Sequence, residues 1–221
     1  FWVARHFNAN WGTFQTENPA AAGYVSISTD DDDAVFERET IMASGPHGGF
    51  RSPQPAITFR VVEGELDRGS SVTITYGDRS QGGSGIMTPT FESERMPLPL
   101  YVDLDGSSEW RSLPITPFEI VGGETTGVHG FAPSVVEPGE SFELSVRAQD
   151  QYFNRATGDI PAFEVLLNNE IVATTNAGTS AITVMDLALN EPGVYWISIR
   201  SADGSITGEG NPISVSYTHL R

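Results

Sequence analysis

Four consecutive carboxylates, Asp30–Asp33, are the densest run of metal-ligating side chains in the chain. Calcium takes several oxygens at about 2.3–2.6 Å, and such a run could supply some of them. Consecutive residues of an extended chain point to alternate sides, however, so only part of the run can face one ion. No glycine stands where an EF-type loop needs its turn and no later glutamate closes one, so a solvated acidic turn is expected. The four histidines, His6, His47, His129 and His219, stand alone in the sequence. None has H-x-H or H-E-x-x-H spacing, and no metal ligand is assigned to them. The glycine-rich stretch Gly77–Gly85 follows strand-like text and could cradle an anion with backbone N–H groups. No helical text follows it, and the expectation is a specially folded loop that contacts a neighbouring domain. Ser80 and Ser84 within it would need a base and an oxyanion site to act as nucleophiles, and the local pattern supplies neither. Asp150 and Asn154 stand four residues apart after a strong strand, a spacing that closes a loop through side-chain bonds to backbone. A sandwich corner is expected there. Carboxylate pairs for glycoside hydrolysis are set by spatial separation, and a chain with 29 acids always offers candidates. The sequence therefore assigns no catalytic, cofactor-binding or metal-ligating residue.

Composition removes whole classes of chemistry. All 12 basic residues are arginine, so there is no lysine for a phosphate loop or a Schiff base. There is no cysteine either, which excludes disulfides, thiolate metal sites and thiol nucleophiles. The net charge of −17 is spread along the chain: residues 1–118 hold 16 acids and 8 arginines, residues 119–221 hold 13 and 4. Neither half offers the basic stripe that a phosphate backbone demands, so no nucleic-acid partner is expected. No apolar run approaches 18 residues, and no membrane insertion is expected. The chain starts at Phe1 and reads as a piece of a longer polypeptide, for which a periplasmic or extracellular location is expected.

Glycine (23) and proline (14) favour many short strands joined by turns. The expected fold class is all-β, with two sandwich domains. The first, residues 1–121, opens with a helical segment over residues 1–8, ended by Asn8, Asn10 and Gly12. Its clearest strands are Ala56–Glu63, with Ile57, Phe59 and Val61 on one face, and Ser71–Tyr76. Leu98–Leu104 reads as a further strand, at an edge or a bulge because of Pro99. The second domain, residues 122–216, begins after the glycine-rich junction at 122–127. Its first strand is broken at Pro133. Ser141–Gln149 alternates strictly, Asn168-Asn169 marks a hairpin, and Val194–Arg200 follows a turn with Trp196 expected in the core. About seven short strands in some 95 residues is the pattern of an immunoglobulin-like sandwich.

Trp11–Gln15, Ile74–Ser80 with the glycines after it, and Thr90-Phe91 before Pro97–Val102 resemble the N-terminal region of an uncharacterised bacterial family. Val135–Gly139, Val146–Asn154, Gly193–Arg200 and Asn211–Ile213 are similar to an immunoglobulin-like module of the same proteins. In that family β-rich domains precede a metal-dependent hydrolase-like domain of the polymerase-and-histidinol-phosphatase type. The resemblance implies that the metal motif lies downstream, and nothing in this chain matches its D-x-H-x-H pattern. Tyr217–Arg221 fit poorly as a continuation and are expected to be a non-native tail, His219 included.

The expected role is a non-catalytic accessory or scaffold region whose partner is the downstream hydrolase-like domain of the same polypeptide. The alternative is a cell-surface adhesion or carbohydrate-binding module, marked by an exposed aromatic platform drawn from Trp2, Trp11, Trp110 and Trp196.

Overall fold

The computed structural model describes residues 1–3, 10–43 and 54–217. Among these the chain is all-β, and no helix among them is long and apolar enough to cross a membrane. It divides into two compact units, Phe1–Thr90 with Glu94–Glu119, and Phe91–Ser93 with Ile120–Arg221.

The earlier strands are β1 (Trp2–Val3), β2 (Val25–Thr29), β3 (Val35–Ala43), β4 (Gln54–Glu63), β5 (Val72–Tyr76), β6 (Ser93–Met96), β7 (Leu100–Val102), β8 (Arg111–Ser112) and β9 (Phe118–Ile120). The main sheet of the first unit runs β3-β4-β1-β7-β8, and β2 pairs with β5 in a separate ribbon. The first residues of the expected N-terminal helix are not helical. Trp2 and Val3 instead form β1, with Trp2 opposite Thr58 on one side and Tyr101 on the other. An isolated eight-residue helix is marginal. Two flanking strands satisfy the backbone on both sides and bury both side chains, which suits an aromatic and a β-branched residue. Residues 4–8 of the expected helix lie outside the described residues.

Alternation in β4 works as the sequence implies: Ile57 and Phe59 are fully buried and Val61 half so. Pro99 precedes β7 rather than sitting in its ladder, so β7 is neither edge nor bulge but lies between β1 and β8. The packing is aromatic. Trp2 meets Trp110 edge-on at 5.4 Å. Trp11 meets Phe14 at 6.0 Å and Phe118 at 5.8 Å, and Phe14 meets Tyr76 at 5.4 Å, each edge to face.

The second unit continues with β10 (Gly127–Phe131), β11 (Val135–Val136), β12 (Ser141–Gln149), β13 (Phe163–Leu167), β14 (Glu170–Thr174), β15 (Ile182–Ala188), β16 (Gly193–Tyr195), β17 (Ile197–Ser201), β18 (Thr207–Glu209) and β19 (Ile213–Val215). One layer is β10-β12-β15. The other comprises β14-β13-β17-β18 and β11-β19-β16. The first strand changes layer at Pro133: β10 pairs with β12, and β11 then runs parallel to β19. Between the layers, Val128, Leu144 and Val146 meet Val165, Ile199, Ile213 and Val215 in one core. This is an immunoglobulin-like sandwich. Asn168 and Asn169 take φ of 49° and 72° between β13 and β14, the left-handed pair that a tight hairpin needs.

The strand expected over Val194–Arg200 is interrupted at Trp196, between β16 and β17. The Trp196 N–H donates to Asn168 Oδ1 at 3.0 Å, and the Asn168 N–H donates back to the Trp196 carbonyl at 3.1 Å. The indole is therefore not in the core; it is 63% exposed.

Candidate functional site

Among the described residues, the buried carboxylate of the second unit is that of Asp150, directly after β12. It accepts four hydrogen bonds. Oδ1 takes the N–H of Tyr152 (2.8 Å) and of Asn154 (2.9 Å); Oδ2 takes the Gly123 N–H and the Asn154 side-chain amide, both at 2.9 Å. Burial pushes the Asp150 carboxyl up, and the bonds to its charged form outweigh burial, so it stays below the ordinary carboxylate value. Asn154 extends the cluster by accepting the Glu92 N–H at 2.9 Å, and Arg155 pairs with Glu92 at 3.2 Å. The corner that sequence spacing suggested is thus a clamp. Its partners Gly123 and Glu92 come from 27 and 62 residues away and left no local signal.

Several other carboxylates are employed in the same way. Asp31 accepts the Asp67 N–H at 3.0 Å, the Ser70 hydroxyl at 2.9 Å and the Asp33 N–H at 3.3 Å, and Asp30 accepts the Ser71 N–H at 2.7 Å. The acid run braces the turn between residues 67 and 71, and the Asp67 N–H is the leading cause that holds Asp31 below its usual range. Asp78 accepts the Ser26 hydroxyl at 2.6 Å and the Ser80 N–H at 2.8 Å, the Ser26 bond being the main cause of its lowered pKa. Asp203 accepts the hydroxyls of Ser201 and Ser205 at 2.6 and 2.8 Å, the first of these chiefly bringing it down to about 2.

The glycine-rich loop is closed on its own unit: the Gly23 N–H donates to the Gly85 carbonyl at 2.8 Å. Gly83 packs so close to the Ala21 carbonyl that a Cβ would sit 3.0 Å from its oxygen. Ser80 is engaged with Asp78, and Ser84 is exposed. Of the histidines only His129 is described; His6, His47 and His219 lie outside the described residues. His129 stands on β10 with its ring 4.7 Å from Phe131. Among the described residues, no three His, Cys, Asp or Glu side chains group to hold a metal ion.

The tryptophans do not form a platform. Trp2 and Trp11 are buried and Trp110 is half-buried, which leaves Trp196. Apolar side chains face outward on both units, Met42 and Leu104 among them on the first, and on the second they fall into rows. Val135 and Val194 lie in one row across β11-β19-β16, both opposite Ser214, with Trp196 two residues on. On the other layer Phe131, Ile182 and Val184 face solvent around Arg147. A shallow groove of about 450 Å³ lies against β17 and β18, lined by Leu166, Asn169, Arg200 and Glu209 among others.

No family model matches the chain. An uncharacterized protein of Chlamydia trachomatis serovar D is 26% identical over 204 residues, which cover 87% of this chain and 31% of that protein. An uncharacterized protein of Chlamydia muridarum is 26% identical over 157 residues, covering 66% of this chain and 25% of its own length. The chain thus spans less than a third of the curated relatives it matches. Among solved structures, the CARDB domain of a Pyrococcus furiosus protein, in complex with di-metal ions, is 15% identical with a TM-score of 0.32, covering 40% of this chain and 90% of that one. The D0-D1 domain of Intimin is 8% identical with a TM-score of 0.30, covering 86% of this chain and 80% of its own.

Proposed function

We propose that the chain is a non-catalytic accessory region of a larger polypeptide, in which two β units hold and orient a neighbouring part. The observation that carries this reading is the employment of the carboxylates. Asp31, Asp78, Asp150 and Asp203 each commit their oxygens to N–H groups or hydroxyls of their own turn or of a segment that the turn packs against. A carboxylate whose lone pairs are taken and whose pKa is held down closes a loop; it is a poor proton acceptor for a substrate. The outward row of Val135 and Val194 with Trp196, on the β11-β19-β16 layer of the second unit, supplies docking surface. Following the family resemblance, the neighbour is a metal-dependent hydrolase-like domain downstream in the same polypeptide.

The test is to assay the isolated chain on phosphate mono- and diesters with Mn²⁺, Zn²⁺ or Mg²⁺. Turnover no greater than that of the free metal is expected. Chelator-sensitive turnover that follows the purified chain overturns the reading.

One observation favours a second reading, a cell-surface adhesion or carbohydrate-binding module: Trp196 stands 63% exposed beside Val194. Tryptophan faces of this kind stack on apolar ligand surfaces. A glycan array on which wild type binds and Trp196→Ala does not supports it; an array with no hits removes it.

A further inference from the structure

We propose that the outer face of the β10-β12-β15 sheet is a self-complementary surface that pairs with the same face of a second copy of this chain, Arg147 of each copy meeting Glu143 of the other. The register places five rows of side chains on that face, the outermost being Gly127 with Gln149 and Ser141 with Ala188. Of the middle three, His129, Arg147 and Ile182 form the first, Phe131, Ser145 and Val184 the second, and Glu143 and Asp186 the third. The inward partners on β12, Phe142, Leu144, Val146 and Ala148, are buried, so the alternate residues face outward. Of these three rows the first is therefore basic, the third acidic, and the second apolar, with Phe131 44% and Val184 53% exposed.

Arg147 is the feature that lacks an explanation within one copy. Arg155 and Arg200, the other described arginines of this unit, pair with Glu92 and Glu164. Arg147 has no carboxylate partner among the described residues. Its Nη2 donates to the Phe153 carbonyl at 3.0 Å, its Cζ lies 5.7 Å from the centre of the Phe131 ring, and its Nε is buried without a partner. An arginine fixed on an aromatic shelf is pre-organised to receive a carboxylate from outside.

The symmetry follows from spacing. Glu143 and Arg147 are four residues apart on β12, about 13 Å, with Ser145 midway. A two-fold axis along the Phe131–Ser145–Val184 row, between two facing sheets, reverses the strand direction and lays Arg147 over Glu143 of the other copy, twice. Along the same axis Phe131 meets Phe131 and Val184 meets Val184, and the small Ser145 lets the backbones approach. An isologous contact of this kind is closed and yields a dimer. The rest of the surface is strongly acidic in a chain of charge −17, and this face is close to balanced, so it is where two copies can approach. The patch is small, and association is expected only above roughly 10 µM. The pairing needs no downstream domain.

The test uses the full 221-residue chain in sedimentation equilibrium from about 10 µM to 1 mM, at ionic strength near 0.15 M. Wild type is expected to dimerise reversibly. Arg147→Glu and Glu143→Arg are each expected to weaken it at least tenfold, because each places like charges in both contacts. Mixed in equal amounts, the two variants restore both opposite-charge contacts and form a mixed dimer at least tenfold tighter than either forms alone; native mass spectrometry with one variant ¹⁵N-labelled reads this directly. Arg147→Ala, which only removes the charge, serves should a reversal fail to fold, and it too is expected to weaken pairing. Arg200→Glu, on the other layer, is expected to leave pairing unchanged. A wild type that stays monomeric to 1 mM, a mixture no tighter than its components, or equal weakening by Arg200→Glu overturns the proposal.

Discussion

The Asp150 corner of the second unit and the Asp30–Asp33 turn of the first are built from the same parts and placed in opposite surroundings. In each, a carboxylate gathers backbone N–H groups that the turn would otherwise leave bare. Asp150 takes four donors and is 6% exposed; Asp31 takes three and is half-buried, among three exposed acids. The donors are alike, so what separates the two is water. At the surface, water replaces a lost acceptor at small cost; in the corner nothing does, and each stranded N–H carries its full desolvation penalty.

The largest effect is therefore expected from Asp150→Ala. Four donors lose their acceptor at once, and a destabilisation of about 3–5 kcal/mol follows. Urea denaturation followed by far-UV circular dichroism measures it. Trp2 and Trp11, both buried in the first unit, report that unit's transition by fluorescence. A fluorescence transition that moves as far as the dichroism transition breaks the assignment of this clamp to the second unit alone. Next comes Gly122→Ala. A Cβ there would lie 2.0 Å from the Arg155 carbonyl oxygen, and backbone must shift to admit it. About 2–3 kcal/mol is expected, with the dichroism midpoint as readout. An alanine accepted at no cost shows that the corner is looser than its hydrogen bonds imply.

Acid titration sharpens the comparison further. The Asp150 carboxyl is depressed in the folded state from its usual 3.8, burial opposing and the four bonds prevailing. A group depressed on folding adds stability that is fully present above its unfolded value, near 4, and is lost as pH falls through the folded one. Stability attributable to Asp150 is thus expected to be constant from pH 7 to about 5 and to fall below 4. Asp150→Asn, expected to cost about 1–2 kcal/mol at neutral pH, flattens that acid limb. If the variant and wild type lose stability in parallel below pH 4, the acid sensitivity belongs to other carboxylates.

What the residue pattern alone disclosed follows the range of the forces involved. Ser141–Gln149 was legible because one sheet face is buried along its whole length, so period two appears undiluted. The Asn168-Asn169 hairpin was legible because the left-handed turn is a property of those two residues. Asp150 and Asn154 announced a corner because both lie within one loop. β1 was not legible: two residues become a strand only because β4 and β7 arrive on either side of them. Trp196 was misread because its place depends on Asn168, 28 residues earlier, whose side chain takes its N–H and interrupts the ladder. The row of His129, Arg147 and Ile182 is likewise a matter of register between three strands, which local spacing does not contain.

The smallest effect is expected at Asp31, and it bears most directly on the role of water. Asp31→Asn keeps an acceptor oxygen and the size of the side chain while removing one charge from four in a row. Two effects then oppose each other: weaker acceptance of the Asp67 N–H and the Ser70 hydroxyl, and relief of repulsion from Asp30, Asp32 and Asp33. Both are softened by solvent, so the urea midpoint is expected to move by less than a fifth of the shift that Asp150→Ala produces. The sign is informative as well. A midpoint that rises at low ionic strength and returns toward wild type in salt means that charge relief outweighs the weakened bonds, since salt screens repulsion and leaves short hydrogen bonds intact. A loss comparable with that of Asp150→Ala, unchanged by salt, means that burial is not what separates the two turns.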